Sequence, residues 1–175
     1  AAMSFVDELA VVSTNVGENA EILNAPELGR PHIPAALDGT KIRLNNVSFS
    51  YGEASGEVLR GVDLEIRPGT VTALVGPSGS GKSTIAKLIA GFWDVSGGSI
   101  TLGGVGLRNI PLEQLNRQIA YVSQDNYLFD RTVRDNIRIG RLDATDAEVE
   151  AVAKAAGCDE FIRELDKGYD TICGG

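Results

Sequence analysis

The decisive stretch of this sequence is GPSGSGKST at residues 76–84. It matches the pattern G-x-x-x-x-G-K-[S/T], whose glycines let successive backbone N–H groups point inward at a phosphate. The apolar run 71–75 before it is typical of a strand that is buried on both faces. Apolar residues after it recur at the spacing of an amphipathic helix: Ile85, Leu88, Ile89 and Phe92. This order predicts a binding site for nucleotide phosphates, and we call residues 76–84 the phosphate loop.

Each residue type in the phosphate loop has a chemical reason to be there. Lys82 supplies a positive charge that reaches the β- and γ-phosphates. Ser83 offers a hydroxyl oxygen, the kind of ligand that Mg²⁺ prefers. The helix that follows adds partial positive charge at its N-terminus. We therefore predict nucleotide contacts from Pro77, Ser78, Gly79, Ser80, Gly81, Lys82, Ser83 and Thr84.

The segments before the phosphate loop predict a helix, a linker and a sheet. One narrow apolar stripe runs through residues 3–23 and predicts a helix, and the proline-rich stretch 29–34 is typical of an extended linker. A domain boundary is therefore expected near residue 35. Apolar and polar residues alternate over 41–51 and 62–66, which predicts two antiparallel strands, the first with a bulge at positions 45 and 46.

The segments after the phosphate loop predict short strands and then helices. Residues 99–102 and the apolar run 119–123 are typical of strands, and the pattern becomes helical from residue 132. Thr145 and Glu148 form a capping box at the start of one helix, and Gly157 is expected to end that helix. Its buried stripe is predicted to be Val149, Val152, Ala153 and Ala156. A second short helix is expected over residues 159–165.

Composition and charge exclude several classes of protein. The 175-residue chain has 24 acidic and 16 basic residues, for a net charge of −8, which disfavours binding to nucleic acid. The flanks carry this charge, because residues 41–140 have nine acids and eleven bases. Two cysteines do not make a disulfide scaffold, and they indicate a reducing compartment. The only histidine, His32, leaves no basis for a histidine-rich metal site or a catalytic triad.

Two further motifs accompany the phosphate loop at fixed distances. The stretch VSFSYG at 47–52 places Tyr51 at the end of a predicted strand, 25 residues before Gly76. The stretch VSQD at 122–125 places Gln124 at the end of another, 42 residues after Lys82. Over roughly residues 15–175 the combination resembles the nucleotide-binding domain of ATP-binding-cassette (ABC) transporters. It is most similar to exporters that fuse this domain behind a membrane domain.

The resemblance implies roles for individual residues. Tyr51 would stack on adenine as the A-loop aromatic, although a core tyrosine at the sheet edge is the alternative. Val58 stands where the family packs an aliphatic side chain near the nucleotide, and plain core packing is the alternative. Gln124 would be the Q-loop glutamine that meets Mg²⁺ or the attacking water, rather than a solvated glutamine at a strand end. Lys82 and Gln124 are thus the implied catalytic residues, and Ser83 and Gln124 the implied metal ligands.

The resemblance also implies an α/β fold and its partners. The fold would be a P-loop NTPase core of the RecA-like type, with an N-terminal antiparallel β subdomain and part of a helical subdomain. Residues 1–34 would be the cytosolic helix and linker from a membrane domain, and 35–175 the N-terminal portion of the nucleotide-binding domain. ATP and Mg²⁺ would be its ligands, at the cytoplasmic face of the inner membrane. Its partners would be a second such domain and membrane-domain coupling helices, the latter along Gln124 to Ile137.

The resemblance leaves three functions open. The first is the ATP-hydrolysing part of an exporter-type transporter. We expect a longer chain in that case, because the family's signature motif, Walker B carboxylates and switch histidine do not occur before Gly175. The second is a nucleotide-binding module without turnover. The third is a soluble ATPase of the same family, which the net charge of −8 and the predicted N-terminal helix disfavour.

Overall fold

A computed structural model describes residues 29–52, 56–124 and 127–174 of the chain. The helix predicted over 3–23 lies outside these residues, so it stays a prediction. The chain divides into two compact units, residues 1–121 and 122–175. None of the helices in the described ranges is both long and apolar enough to cross a membrane.

The first unit is built on an antiparallel sheet. Its four strands follow the spatial order β2-β1-β3-β4. Their bounds are β1 Ile42–Phe49, β2 Leu59–Ile66, β3 Gly97–Leu102 and β4 Val105–Gly106. This confirms the strands predicted from the alternating patterns, since β1 pairs antiparallel with both β2 and β3.

The predicted bulge in β1 is confirmed at Asn46. The register to β2 shifts between Leu44 and Val47, and Asn46 has a positive φ of 46°. The backbone N–H of Asn46 donates to Asp63 Oδ1 at 2.8 Å, so a side chain replaces the lost ladder bond. The neighbouring strand needs a glycine at Gly98, because a Cβ there would lie 2.2 Å from the Asn46 carbonyl oxygen.

Two helices and one 3₁₀ turn pack on this sheet. They are α1 Lys82–Ile89, a 3₁₀ turn at Leu107–Asn109 and α2 Leu112–Gln118. Ile85 and Leu88 of α1 are buried, as the helical spacing predicts, whereas Phe92 lies beyond the helix and is half exposed. The core of the unit joins both helices to three strands and comprises Leu44, Val47, Phe49, Leu59, Ile85, Leu88, Ile100, Leu102, Leu107, Ile110 and Leu115.

The prediction of two strands is wrong, because the described structure does not contain them. Residues 70–75 and 119–123 have no regular secondary structure, and neither pairs with a strand in the described ranges. Val71 is 100 % exposed and Val75 92 %, although their apolar run predicts burial on both faces. A strand is stabilised by hydrogen bonds and side chains from its neighbours, so an apolar run without such neighbours stays irregular.

The linker at 29–38 is bonded to the rest of the first unit along its length. Arg30 Nη2 donates to Asp94 Oδ1 at 2.8 Å, with the Arg30 side chain only 7 % exposed. The Gln114 amide accepts from Ala35 N and donates to Ala35 O, both at 2.8 Å. Asp38 N donates to Gly103 O at 2.9 Å. The linker therefore lies on the domain, although the boundary predicted near residue 35 is not tested by these contacts.

The second unit is mainly helical. A two-stranded ribbon, β5 Arg131–Thr132 with β6 Ile172–Cys173, brings its two ends together. Its helices are α3 Val133–Arg138, α4 Asp146–Ala155 and α5 Asp159–Arg163, followed by a 3₁₀ turn at Gly168–Asp170. The buried core residues of this unit are Val149, Ala153, Ile162 and Tyr169.

The predicted ends of α4 are confirmed, but its predicted stripe is only half right. Thr145 and Glu148 form the capping box, and Gly157 follows the helix with a φ of 74°. Val149 and Ala153 are buried, whereas Val152 and Ala156 are exposed. The short neighbouring elements α3 and α5 cover one narrow side of α4, so the wider apolar arc remains open to solvent.

Candidate functional site

The phosphate loop owes its shape to glycines with left-handed backbone. Gly79 and Gly81 have φ values of 79° and 85°, which side-chain-bearing residues rarely adopt. Ser80 N donates to Pro77 O at 3.3 Å and closes a turn inside the loop. A Cβ at Gly81 would also lie 2.4 Å from Cδ2 of the buried Leu59, so that side chain would have to shift. The loop is thus fixed both by its own turn and by contact with β2.

Lys82 bends back over this loop. Its ammonium donates to the carbonyl oxygens of Gly76 and Pro77, at 2.9 and 2.7 Å, and lies 3.2 Å from Ser80 Oγ. An ammonium group has three donors, and the oxygens of the loop engage all of them. A phosphate oxygen that reaches Lys82 must therefore replace at least one of these partners.

The N-terminus of α1 has the electrostatics of an anion site. Gly81 precedes the helix, its first turn holds no acidic residue, and no side chain in the described ranges caps it. The first N–H groups of an α-helix lack intrahelical acceptors and carry partial positive charge. The helix therefore presents uncapped donors beside the ammonium of Lys82, an arrangement that suits a polyphosphate.

A cavity of about 330 Å³ lies against this helix end. The residues that line it are Val58, Gly79, Ser80, Gly81, Lys82, Ser83 and Thr84. Val58 therefore shares one cavity with six residues of the phosphate loop, and its contact with a nucleotide stays a prediction. Pro77 and Ser78 belong to the same loop but do not line this cavity.

The residues at this cavity fit a triphosphate with its Mg²⁺. Backbone N–H groups and Lys82 are suitable donors for phosphate oxygens. Ser83 is exposed in the first turn of α1 and lines the cavity, so its hydroxyl is available to a hard cation. The predicted ligand role of Ser83 remains a prediction on this geometry.

Tyr51 lies beside the same helix. Its hydroxyl is 3.0 Å from the hydroxyl of Thr84, a buried residue in the first turn of α1. Tyr51 is 45 % exposed, so its stacking on adenine stays a prediction that this exposure permits. Its ring lies at right angles to two other rings, those of Phe49 and Trp93. The sequence-based reasoning missed Trp93, and no spacing rule along the chain could have indicated this contact.

Gln124 lies in the other unit. It is exposed near the N-terminal end of residues 122–175, just after the irregular stretch 119–123. The contacts predicted between Gln124 and Mg²⁺ or water therefore stay predictions.

The second unit carries a large apolar cavity of about 530 Å³, which we call the apolar groove. Its lining consists of Tyr127, Leu128, Phe129, Val133, Asn136, Ile137, Ile139, Gly140, Cys158, Phe161, Ile162, Leu165 and Cys173. Asn136 organises one wall, because its amide accepts from Phe129 N at 2.8 Å and donates to Phe129 O at 2.9 Å. Several lining side chains are strongly exposed, including Tyr127 at 75 % and Phe161 at 59 %. The segment predicted to face a membrane domain thus forms part of an exposed apolar surface.

Comparison with known proteins places this geometry in a family. The family model described as ABC transporter matches residues 59–175. The ATP-dependent lipid A-core flippase of Chromobacterium violaceum is 47 % identical over 151 residues, which are 85 % of this chain and 26 % of that protein. ATP-binding cassette sub-family B member 6 of Xenopus tropicalis is 48 % identical over 157 residues, which are 90 % of this chain and 18 % of that protein.

A solved structure gives the same result. The structure of a bacterial Atm1-family ABC exporter with ATP bound matches with a TM-score of 0.81 and 35 % identity. The match covers 92 % of this chain and 28 % of that one. The chain therefore spans about a fifth to a quarter of the length of the curated relatives named above. Because the family model matches well over half of its residues, the chain belongs to the ABC transporter family.

Proposed function

We propose that residues 76–84 bind MgATP and that the complete protein hydrolyses it to drive export across a membrane. The observation that carries the proposal is the uncapped N-terminus of α1, with Lys82 folded over the phosphate loop beside a cavity of 330 Å³. The relatives support the transport part, because one is named an ATP-dependent flippase and the other an ABC exporter with ATP bound.

The residues at the cavity divide the work of phosphoryl transfer. Lys82 exchanges its carbonyl partners for β- and γ-phosphate oxygens and offsets the negative charge that spreads over them in the transition state. The backbone N–H groups of 79–84 hold the phosphates in line. The Ser83 hydroxyl would hold Mg²⁺, which would supply positive charge to neutralise the phosphate oxygens.

Residues outside the phosphate loop are proposed to contact the adenine base and the attacking water. Tyr51 stacks on adenine, and Val58 packs against the nucleotide from the wall of the same cavity. Gln124 is the residue proposed to orient the attacking water or to serve as a ligand of Mg²⁺. Lys82 and Gln124 are accordingly the proposed catalytic residues.

The domain limits follow from the same proposal. Residues 1–34 are a cytosolic helix and linker that arrive from a membrane domain, and 35–175 are the N-terminal portion of the nucleotide-binding domain. The bonds of Arg30 and Ala35 to the first unit support a linker that is held on the domain. The working location is the cytoplasmic face of the inner membrane.

The proposed partners are a second nucleotide-binding domain and a membrane domain of the same transporter. A helix at the cytosolic end of the membrane domain occupies the apolar groove, next to residues 124–137. Support comes from the exposed aromatic lining of the groove and from the exporter relatives, of which this chain covers only a fraction.

The test of ATP hydrolysis uses Lys82→Ala in the full-length protein. We expect the rate of MgATP hydrolysis to fall at least about 100-fold, because an essential charge at the transferred phosphate is lost. Lys41→Ala is the matched control, since Lys41 is an exposed lysine directly before β1 whose salt bridge is to Glu65. Hydrolysis by the Lys82 variant at the rate of the unmodified protein would contradict the proposal. ATP binding without turnover in the unmodified protein would instead favour a binding module.

The test of the groove uses two exposed apolar residues of the second unit. Phe161→Asp places a charge in the apolar groove, whereas Leu142→Asp changes a residue that is 79 % exposed and does not line it. We expect only Phe161→Asp to reduce transport while ATP binding is retained. Equal transport by the two variants would exclude the groove as the contact with the membrane domain.

A further inference from the structure

The ring of Tyr51 is held by a small aromatic cluster, which consists of Phe49, Tyr51 and Trp93. The Tyr51 ring lies 4.8 Å from the Phe49 ring at 83°, and 5.2 Å from the Trp93 ring at 90°. Phe49 is buried, whereas Tyr51 and Trp93 are 45 % and 39 % exposed. The cluster therefore has one buried member and two that face solvent beside α1.

Tyr51 depends on these neighbours for its orientation. It lies two residues beyond the end of β1, so no ladder bond of the sheet holds it. Its hydroxyl contact with Thr84 fixes the tip of the side chain but leaves the ring free to turn about its long axis. Perpendicular ring contacts on Tyr51 restrict that rotation, because edge-to-face packing is the favoured geometry.

Trp93 itself is well anchored. The next residue, Asp94, pairs with Arg30 at 2.8 Å and with Arg108 at 3.3 Å. The ammonium of Lys87, in the last turn of α1, lies 5.7 Å from the centroid of the Trp93 ring. The position of Trp93 is therefore set by an ion-pair network on one side and by α1 on the other.

Hydrogen bonds also join the two chain segments that carry these rings. Ser96 N donates to Ser48 O at 2.9 Å, and Ser50 N donates to Ser96 Oγ at 3.2 Å. Residues 48–51 and 93–96 thus run together beside the end of β1. The Trp93 ring on one segment can therefore restrict the orientation of the Tyr51 ring on the other.

We infer that Trp93 is a positioning residue for the nucleotide base, which it influences by holding the ring of Tyr51 in the stacking orientation. The inference rests on the proposed function, in which Tyr51 stacks on adenine. Stacking depends on the plane of the aromatic ring, so a ring that turns freely loses part of its affinity for the base. The phosphates bind to the loop and to Lys82, and their affinity does not depend on Trp93.

The experiment compares ligands with and without a base in the full-length protein. The dissociation constants of ATP and of inorganic tripolyphosphate, both with Mg²⁺, are measured for the unmodified protein and four variants. The variants are Trp93→Ala, Trp93→Phe, Tyr51→Ala and the matched control Phe92→Ala. Phe92 is an adjacent half-exposed aromatic residue whose ring contacts are with Tyr121 and with Trp93 rather than with Tyr51.

We expect Trp93→Ala to weaken ATP binding about three- to tenfold while tripolyphosphate binding stays unchanged. Trp93→Phe keeps a ring at this position and restores most of the affinity for ATP. Phe92→Ala binds both ligands as the unmodified protein does.

Two results would overturn the inference. One is a Trp93→Ala variant with unchanged ATP affinity, and the other is an equal loss for ATP and tripolyphosphate, which a merely structural role produces. Tyr51→Ala separates this inference from the proposed function. If Tyr51→Ala weakens ATP selectively and Trp93→Ala does not, only the role of Trp93 fails. If Tyr51→Ala has no selective effect on ATP, the proposed stacking of Tyr51 and the role of Trp93 both fail.

Discussion

Two helices of this protein, α1 and α4, begin in opposite ways. At α4, Thr145 Oγ accepts from Glu148 N, and the Glu148 carboxylate accepts from Thr145 N at 2.8 Å. Asp146 and Glu148 also place two negative charges in its first turn. At α1, the preceding residue is Gly81, the first turn has no acid, and the described residues supply no side-chain cap.

The difference separates a structural helix end from one that is suited to a ligand. The capping box of α4 satisfies its own donors and neutralises the dipole, so an anion gains little there. The donors of α1 remain uncapped beside the ammonium of Lys82. A helix start without side-chain caps lowers stability. A bound phosphate offsets this loss, because its oxygens accept hydrogen bonds from the uncapped N–H groups.

An acidic residue placed just before α1 would remove the difference between the two helix starts. Ser80→Asp would place a carboxylate beside Lys82, because Ser80 Oγ lies 3.2 Å from the ammonium. We expect the affinity for MgATP to fall at least about 100-fold, since the carboxylate takes the charge of Lys82 and repels phosphate. Titration calorimetry measures the change, with Ser80→Asn as the uncharged control. An equal loss in both variants would mean that size rather than charge is responsible.

Two glycines of the phosphate loop allow a comparison at the level of stability. Gly81→Ala combines a positive φ with a Cβ that would lie 2.4 Å from Leu59 Cδ2. Gly79→Ala has the same backbone strain, but no atom of the described residues lies within 4 Å of its Cβ. We expect losses of about 3 kcal/mol for Gly81→Ala and about 1 kcal/mol for Gly79→Ala in the free energy of unfolding. Urea denaturation measures both, and equal losses would show that the contact with β2 is unimportant.

Removal of the Thr145 hydroxyl tests how much the capping box stabilises α4. Thr145→Ala should destabilise α4 by about 1 kcal/mol, because the N–H of Glu148 loses its acceptor. Hydrogen exchange of the α4 amides reports this change directly, and the amides of α1 serve as an internal control. Unchanged exchange in α4 would contradict a stabilising role for the capping box.

The smallest expected effect is a pH dependence at the same cap. Hydrogen bonds from the Thr145 backbone, then from Arg141 and the Thr145 hydroxyl, lower the pKa of Glu148 from 4.5 to about 2. A carboxylate whose pKa is lowered by folding stabilises the folded state at pH values above its pKa in the unfolded chain. That stability is lost as the pH falls from about 4.5 through about 2. The protection factors of the α4 amides, which correct for the intrinsic pH dependence of exchange, should therefore fall below pH 4.5, and Glu148→Gln should weaken that dependence.

Features that depend on nearby residues could be predicted from the sequence. The glycine pattern of 76–84 indicates the bend of the loop and the start of α1, and Thr145 with Glu148 indicates the start of α4. Each depends on atoms within a few residues. The antiparallel pairing of β1 with β2 was also predictable, because alternating residues and one short turn connect them.

Features that depend on distant partners could not be predicted in this way. The apolar runs 71–75 and 119–123 indicate that these segments favour burial, but not which neighbour covers them. Trp93 illustrates the same limit at the candidate site, since its contact with Tyr51 crosses 42 positions of the chain. Periodicity describes one element at a time, whereas such contacts depend on how elements are arranged.

The partly buried pair of Arg30 and Asp94 has a mechanical consequence. Arg30 lies at the N-terminal end of the described linker, and Asp94 lies 64 residues further along, directly after Trp93. A pulling force applied to the chain before residue 30 would load this pair first, and the paired amide contacts of Ala35 and Gln114 next. The tension would enter the domain at the turn that carries Trp93. The linker is therefore attached to the domain at a point from which a pulling force is transmitted to the aromatic cluster.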